Sequence, residues 1–416
     1  MRKTVVIFFL CIVLAVSYVV THVFRAYSVE GGKTRLFPIQ SIDTMKYSRD
    51  IAREKLHDAS FDKHIDTQVK NIAATGATHI AIATPYDEEF IPFLTRWVRA
   101  ARKYNLNVWF RGNFSGWEEW FDYPEITKDE HIRKTKAFIA RHADMFVDND
   151  LFSACPECEN GALGDPRQTG RLAEYRQFLI DEYQVTTEAF NRIGKRVQSN
   201  ILSMNGDVAR LVMDRETTRE LGGMVTIDHY VETPEQLVGD AERIAGNSGG
   251  LVMLGEFGTP IPDIHGELTE DQQAMWVGAG LYGLAKSKSI AGVNYWTNKG
   301  SSTALWNDDD TPRAVVSTIT DFYKPLVIRG TVRDELGFLL SDVTVTSPFE
   351  TVHTKTGAYR VFFITGDHIE FQKPGYINVS ESLRRTDVRD LVLDVTMQPT
   401  NPSLLYKILL PILRRK

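Results

Sequence analysis

A chain of 416 residues is longer than one ordinary domain, and 43% hydrophobic with 25% charged residues is a folded composition that excludes disorder and repeat arrays. A net charge of -6 with scattered Lys and Arg excludes the basic stripe of a nucleic-acid groove, so no nucleic-acid partner is expected. Three cysteines, Cys11, Cys155 and Cys158, are too few for a disulfide framework.

Met1-Arg2-Lys3 precedes an apolar run from Thr4 to Val20, about 17 residues, long for a signal-peptide core and at the short limit of a membrane span. No small-x-small cleavage site follows it. The reading is an uncleaved signal anchor over residues 1–28, a transmembrane helix that places a single-pass chain in the cell membrane with the remainder extracytoplasmic. A cleaved leader and a secreted chain are the alternative.

From Phe37 onward short apolar runs alternate with longer amphipathic ones. Strands are predicted at Phe37–Ile42, His79–Ala83, Asn107–Phe110, Leu151–Ala154, Val197–Ile201, Met224–Ile227, Leu251–Leu254 and Ala291–Tyr295. Helical spacing predicts helices at Phe61–Thr75, Glu89–Tyr104, Asp129–Ala143, Leu172–Ile193, Thr233–Ile244 and Thr269–Lys286. Eight strand-then-helix units over residues 36–324 imply an α/β fold, a (β/α)8 TIM barrel. The runner-up, an open doubly wound sheet, would need a Gly-rich phosphate turn after an early strand, and none is present.

In such a barrel chemistry sits where strands end. Those positions hold Asp43, then Arg111 and Asn113, then the run Cys155-Pro156-Glu157-Cys158-Glu159-Asn160. After them come Asp228-His229-Tyr230, Glu256, and Trp296 with Asn298. Val252-Met253-Leu254-Gly255-Glu256-Phe257-Gly258 is a buried-strand pattern that ends in a carboxylate between two glycines. Burying that charge is costly unless it is paired or used. Glu157 and Glu256 end strands four and seven, which face each other across a barrel mouth. Carboxylates about 5 Å apart there suit retaining glycoside hydrolysis; a gap of roughly 6.5–9.5 Å suits inversion.

On these residues the chain resembles the clan A glycoside hydrolases, near the family-five cellulase and mannanase group. Glu256-Phe257-Gly258 matches the motif of the strand-seven nucleophile. The resemblance implies that Glu157 is the acid/base, with Glu159 two residues on as a second candidate. It implies that His229 and Tyr230 hold the nucleophile, that Arg111 lies beside it although it falls on strand three, and that Trp296 floors the sugar site. Asp43, Asn113 and Asn298 are further candidate substrate-binding residues. Strand four departs from the family's Asn-Glu-Pro, with Pro156 and Cys158 on either side of Glu157.

Cys155-x-x-Cys158 lacks the second ligand pair of a zinc site and does not open a helix as a redox pair would; a local disulfide or two free thiols bracing the Glu157 loop remains. Asp308-Asp309-Asp310 reads as a solvated loop before a calcium site. No elbow motif for Ser-His-Asp catalysis is present. No metal or organic cofactor is expected.

After Pro325 the pattern turns to short alternating strands with Gly turns. Arg329-Gly330-Thr331-Val332, Thr356-Gly357-Ala358-Tyr359 and Lys373-Pro374-Gly375-Tyr376 resemble a carboxypeptidase regulatory-like domain, implying a β-sandwich over 326–399 that spaces the barrel or binds glycan. Residues 400–416 form a basic amphipathic tail, too short to span a membrane. The expected function is a membrane-anchored retaining glycoside hydrolase with a β-linked carbohydrate substrate. A non-catalytic glycan-binding barrel or a cell-surface scaffold is the alternative, and the oligomeric state is left open.

Overall fold

The computed structural model describes residues 34–364, 368–382 and 390–413, in two compact units, one of them Phe37–Lys324 and the other containing the chain from Pro325 on. In the first, eight parallel strands alternate with helices: β1 (Ile39–Asp43), β2 (His79–Ile82), β3 (Asn107–Phe110), β4 (Leu151–Phe152), β5 (Ser203–Asn205), β6 (Met224–Asp228), β7 (Leu251–Phe257) and β8 (Ile290–Tyr295). The main helices are α1 (Asp62–Ala74), α2 (Ile91–Lys103), α3 (Lys128–Arg141), α4 (Leu172–Arg192), α5 (Gly206–Val212), α6 (Pro234–Ser248), α7 (Glu270–Lys286) and α8 (Ala314–Tyr323).

Strand order β4-β3-β2-β1-β8-β7-β6-β5 sets the first and last strands side by side. The remaining seam is joined by a parallel bridge between Leu151 and Gln198, where Phe152 N donates to Gln198 O at 2.9 Å. The sheet therefore closes into the expected (β/α)8 barrel. Strand five departs from the expected Val197–Ile201. The chain pairs with β4 at Gln198 and only later, at Ser203–Asn205, with β6, so the apolar run lies between two partners.

Ile39, Ala81, Trp109, Leu151, Ile201, Met224, Met253 and Ala291 form one buried apolar ring, each from a different strand position around the barrel. Parallel strands covered on both faces need such continuous apolar runs. Outside them the helices bury one stripe each. In α2 this is Phe93, Leu94, Trp97, Val98 and Ala101 at helical spacing. Thr269 and Gln272 form a capping box that starts α7, and Gly249, at φ 71°, ends α6.

The second unit contains β9 (Leu326–Asp334), β10 (Thr344–Thr346), β11 (Thr351–His353), β12 (Ala358–Phe363), β13 (His368–Gln372), β14 (Val379–Ser382), β15 (Asp390–Val392) and β16 (Val395–Met397). One sheet runs β11-β10-β13-β14, and in the other β9 is flanked by β12, β15 and β16. Val332, Val345, Tyr359, Val361, Ile369, Phe371 and Met397 from both sheets meet in one core, making the unit all-β as expected. A last helix, α9 (Leu404–Leu413), sets Tyr406 Oη as the acceptor of Glu335 N at 3.1 Å.

The expected membrane placement is corrected here. Among the described residues no helix is long and apolar enough to cross a membrane. The ten residues of α9 rise only about 15 Å, half of a hydrocarbon core. The expected anchor, residues 1–28, lies outside the described residues, as does the basic end Arg414-Arg415-Lys416.

Candidate active site

Successive side chains of a strand alternate in direction, and the apolar ring marks the inward set. Counting up by twos from Ile39, Trp109 and Met224 brings Asp43, Arg111 and Asp228 to the inner face, and all three are buried. On β7 the same count from Met253 reaches Gly255 and would turn Glu256 outward. A register shift there pairs Ile227 with Leu254 but Asp228 with Glu256. Such a bulge sets two residues opposite one and aims Glu256 into the barrel beside Asp228. Gly255 is what this close approach requires, because a Cβ there would strike the Asp228 carboxylate and crowd Ser203. Gly258 similarly makes room for the carbonyl of Trp296.

Arg111 gathers the acids. Its Nη1 donates to Glu256 Oε1 and to Asp43 Oδ2 (3.2 Å), and its Nη2 donates to Asp228 Oδ2 (2.6 Å) and Ser203 Oγ (3.3 Å). Tyr230 Oη donates to Glu256 Oε2 at 2.7 Å. One cation thus faces three acids. Burial raises the Asp43 carboxyl to about 6 although Arg111 pulls it down. Burial pushes Asp228 well above the carboxylate range, against the same cation. Among the described residues Asp228 Oδ1 has no hydrogen-bond partner.

Removing one side of a buried ion pair leaves uncompensated charge, at a cost of about 3–5 kcal/mol. Arg111→Met is therefore expected to destabilise the protein by roughly that amount, read as a lower urea midpoint. The loss should shrink as pH falls, because protonating Asp43 and Asp228 removes the charge that Arg111 had balanced.

Glu157 stands on the loop after β4. Cys155 and Cys158 are joined as a disulfide, which closes the open reading of that pair. Between them Glu157 adopts φ 48°, ψ 54°, in the left-handed region. Its backbone N donates to Ser203 O at 2.8 Å, and its Oε2 accepts from Asn160 Nδ2 at 3.1 Å. Burial, then the nearby charge of Glu256, raises its carboxyl to about 7. Glu159 is buried and held at both oxygens, Oε1 by Asn205 N (2.7 Å) and Nδ2 (3.1 Å) and Oε2 by Tyr175 Oη (3.1 Å).

The other expected residues divide. Trp296 is half-buried at the rim, its ring 6.1 Å from that of Tyr230 at a steep angle. His229 N donates to Glu256 O, but its ring turns to Asp240 on α6 (2.8 Å), and burial lowers its basicity. Asn113 accepts from Phe114 N and meets His131 Nε2, both at 2.8 Å, while its amide donates to Glu118 at 2.6 Å. Asn298 donates to Gln68 on α1 at 2.6 Å. Asp43, Asn113 and Asn298 are completely buried, Asp43 held by Arg111 within the barrel and the two asparagines by loop and helix side chains outside it.

Asp228, named among the strand ends but given no role there, ends β6 one residue before His229. One further acid was missed by sequence reasoning. Glu118, on the loop after β3, is raised to about 8 by burial, with the Glu157 charge adding to the effect. Its only sequence signal is an acid between Trp117 and Trp120. In the Asp308–Asp310 loop, Lys299 Nζ pairs with Asp310 at 2.7 Å and Asp309 accepts from Thr311.

The fold and this rim define a (β/α)8 barrel protein with an acid-lined mouth, and comparison with known proteins agrees on the architecture. No family model and no curated protein matches the chain. Among solved structures, a family-5 subfamily-18 glycoside hydrolase variant from Streptomyces cattleya, in complex with Manβ1-4GlcNAc, is similar with a TM-score of 0.52. It is 12% identical over 71% of this chain and 84% of its own. A Bacteroides uniformis β-glucuronidase gives 0.48 at 12% identity, covering 86% of this chain and 46% of that one. A Ruminococcus gnavus β-glucuronidase gives 0.44 at 13% identity, covering 63% and 46%. The chain spans about half the length of these glucuronidases. At 12% identity the likeness to the Streptomyces cattleya structure shows the fold alone.

Proposed function

We propose that the barrel is a retaining glycoside hydrolase acting on a β-linked glycan, with Glu256 as nucleophile and Glu157 as acid/base. The observation that carries this reading is a pair of carboxyl groups at one rim in opposite surroundings. Glu256 accepts from a guanidinium at one oxygen and a phenol at the other, which fix the orientation of its carboxyl group. Glu157 is raised to about 7, which keeps a proton available to donate near neutral pH. Glu159, tied at both oxygens, is the weaker candidate.

In this mechanism Glu256 attacks the anomeric carbon while Glu157 gives its proton to the departing oxygen. Glu157 then takes a proton from water, which displaces Glu256 and restores the starting configuration. Tyr230 and Arg111 orient the nucleophile, and Trp296 offers an aromatic face to the sugar. Asp43, Asn113, Asn298 and His229 support the rim from within. The all-β unit, with its carboxypeptidase regulatory-like motifs, acts as a spacer.

The test is proton NMR during hydrolysis of a panel of aryl β-glycosides and β-linked oligosaccharides, including Manβ1-4GlcNAc, the disaccharide in the Streptomyces cattleya complex. The β-anomer of the product is expected first. An α-anomer first would overturn retention. Glycan binding without turnover would make the barrel a binding module.

A further inference from the structure

We infer that the Cys155–Cys158 disulfide is the positioning element of the acid/base, holding Glu157 in the backbone conformation that keeps its carboxyl at the rim. This rests on Glu157 being the proton donor of the proposed reaction.

The strand below the loop is the shortest in the barrel, only Leu151–Phe152, so regular pairing does little to support the loop that leaves it. Glu157 carries a Cβ yet sits at positive φ, a conformation that persists only where the surroundings over-determine it. The chain is pinned just beyond the loop, where Asn205 and Tyr175 hold Glu159. Glu157 N is pinned to Ser203 O. The remaining freedom is rotation of the Pro156-Glu157 segment, and the crosslink spans that segment with a Cα–Cα distance of 5.2 Å.

Loop length argues that the effect is local. A crosslink restricts the unfolded chain more as the loop it closes lengthens, and this one encloses only two residues. Its consequence should therefore appear at Glu157 more than in global stability. Cys155 and Cys158 are both buried, so the crosslink lies within the packed base of the loop.

The experiment compares the full chain with its Cys155→Ala/Cys158→Ala variant on two substrates of one sugar, a methyl β-glycoside and a 2,4-dinitrophenyl β-glycoside. The first leaving group needs a proton and the second does not. Loss of acid positioning should lower kcat/KM, which reports the step that expels the leaving group, about 100-fold on the methyl glycoside and less than about 3-fold on the dinitrophenyl one. Wild-type enzyme reduced by a phosphine, with Cys155 and Cys158 each confirmed as a thiol by mass spectrometry after alkylation, should show the same split. Reoxidising a non-alkylated sample should reverse it. This arm decides the matter if the double variant does not fold.

Equal losses on both substrates would reduce the bridge to a structural role and overturn the inference, as would an unchanged rate with both thiols free. In an enzyme that cleaves both substrates, a Glu157→Gln variant with no rate change on the methyl glycoside would remove Glu157 itself as acid/base. That outcome is separate from failure of the disulfide alone.

Discussion

Glu256→Gln is expected to lower kcat by roughly 10⁴-fold or more, about 5.5 kcal/mol of barrier, while the barrel stays folded. An amide cannot form the glycosyl ester, so no covalent intermediate accumulates. The substitution keeps the side-chain shape and removes one of the three acids that share Arg111. Stability should therefore hold or rise slightly, in contrast to Arg111→Met. Two measurements separate chemistry from folding: stopped assays with a mechanism-based label, and urea unfolding of the same preparation. A variant that retains more than about a hundredth of the wild-type kcat would exclude Glu256 as nucleophile.

The second large effect concerns pH. Glu157 must carry its proton to protonate the leaving oxygen, and its carboxyl is raised to about 7 by burial and by Glu256. The rate on a poor leaving group should thus fall about tenfold per pH unit above that value, with a separate acidic limb where the nucleophile takes up its proton. Glu157→Gln should lower the rate by about 10²–10⁴-fold on that substrate and abolish the alkaline limb. If the limb survives in Glu157→Gln at an unchanged position, another group is the acid. Glu118, raised to about 8, would then be the next to substitute.

The barrel was legible because parallel strands buried on both faces must be apolar throughout, as in Val108-Trp109-Phe110 and Val252-Met253-Leu254. Strand five was displaced because its apolar stretch around Ile201 lies between two pairing partners, a matter of neighbours that periodicity does not record. The rim was legible as a set of polar strand ends, but not which of them face the mouth. Asn298 and Asn113 look like sugar ligands in sequence, yet one ties a loop to α1 and the other serves Glu118. Arg111 reaches Glu256 because both point inward from separate strands, and only the bulge at Gly255 makes that so. Glu118 stayed hidden because its importance comes from loops three and four lying close in space.

The apolar ring has a mechanical meaning beyond stability. Trp109 occupies the ring from β3 and Arg111 sits two residues above it on the same face, its guanidinium 5.8 Å from the indole centroid. Trp109 Nε1 is itself fastened to Ser153 Oγ, just past the end of the neighbouring strand β4, at 2.9 Å. The indole is thus a footing on which the guanidinium rests, and the small side chains of Ala81 and Ala291 in the same ring help accommodate so large a group. A loss of volume at that level would let the cation settle and drag three carboxyl groups with it. The tolerance of the rim is set one storey down, in residues that never touch a sugar.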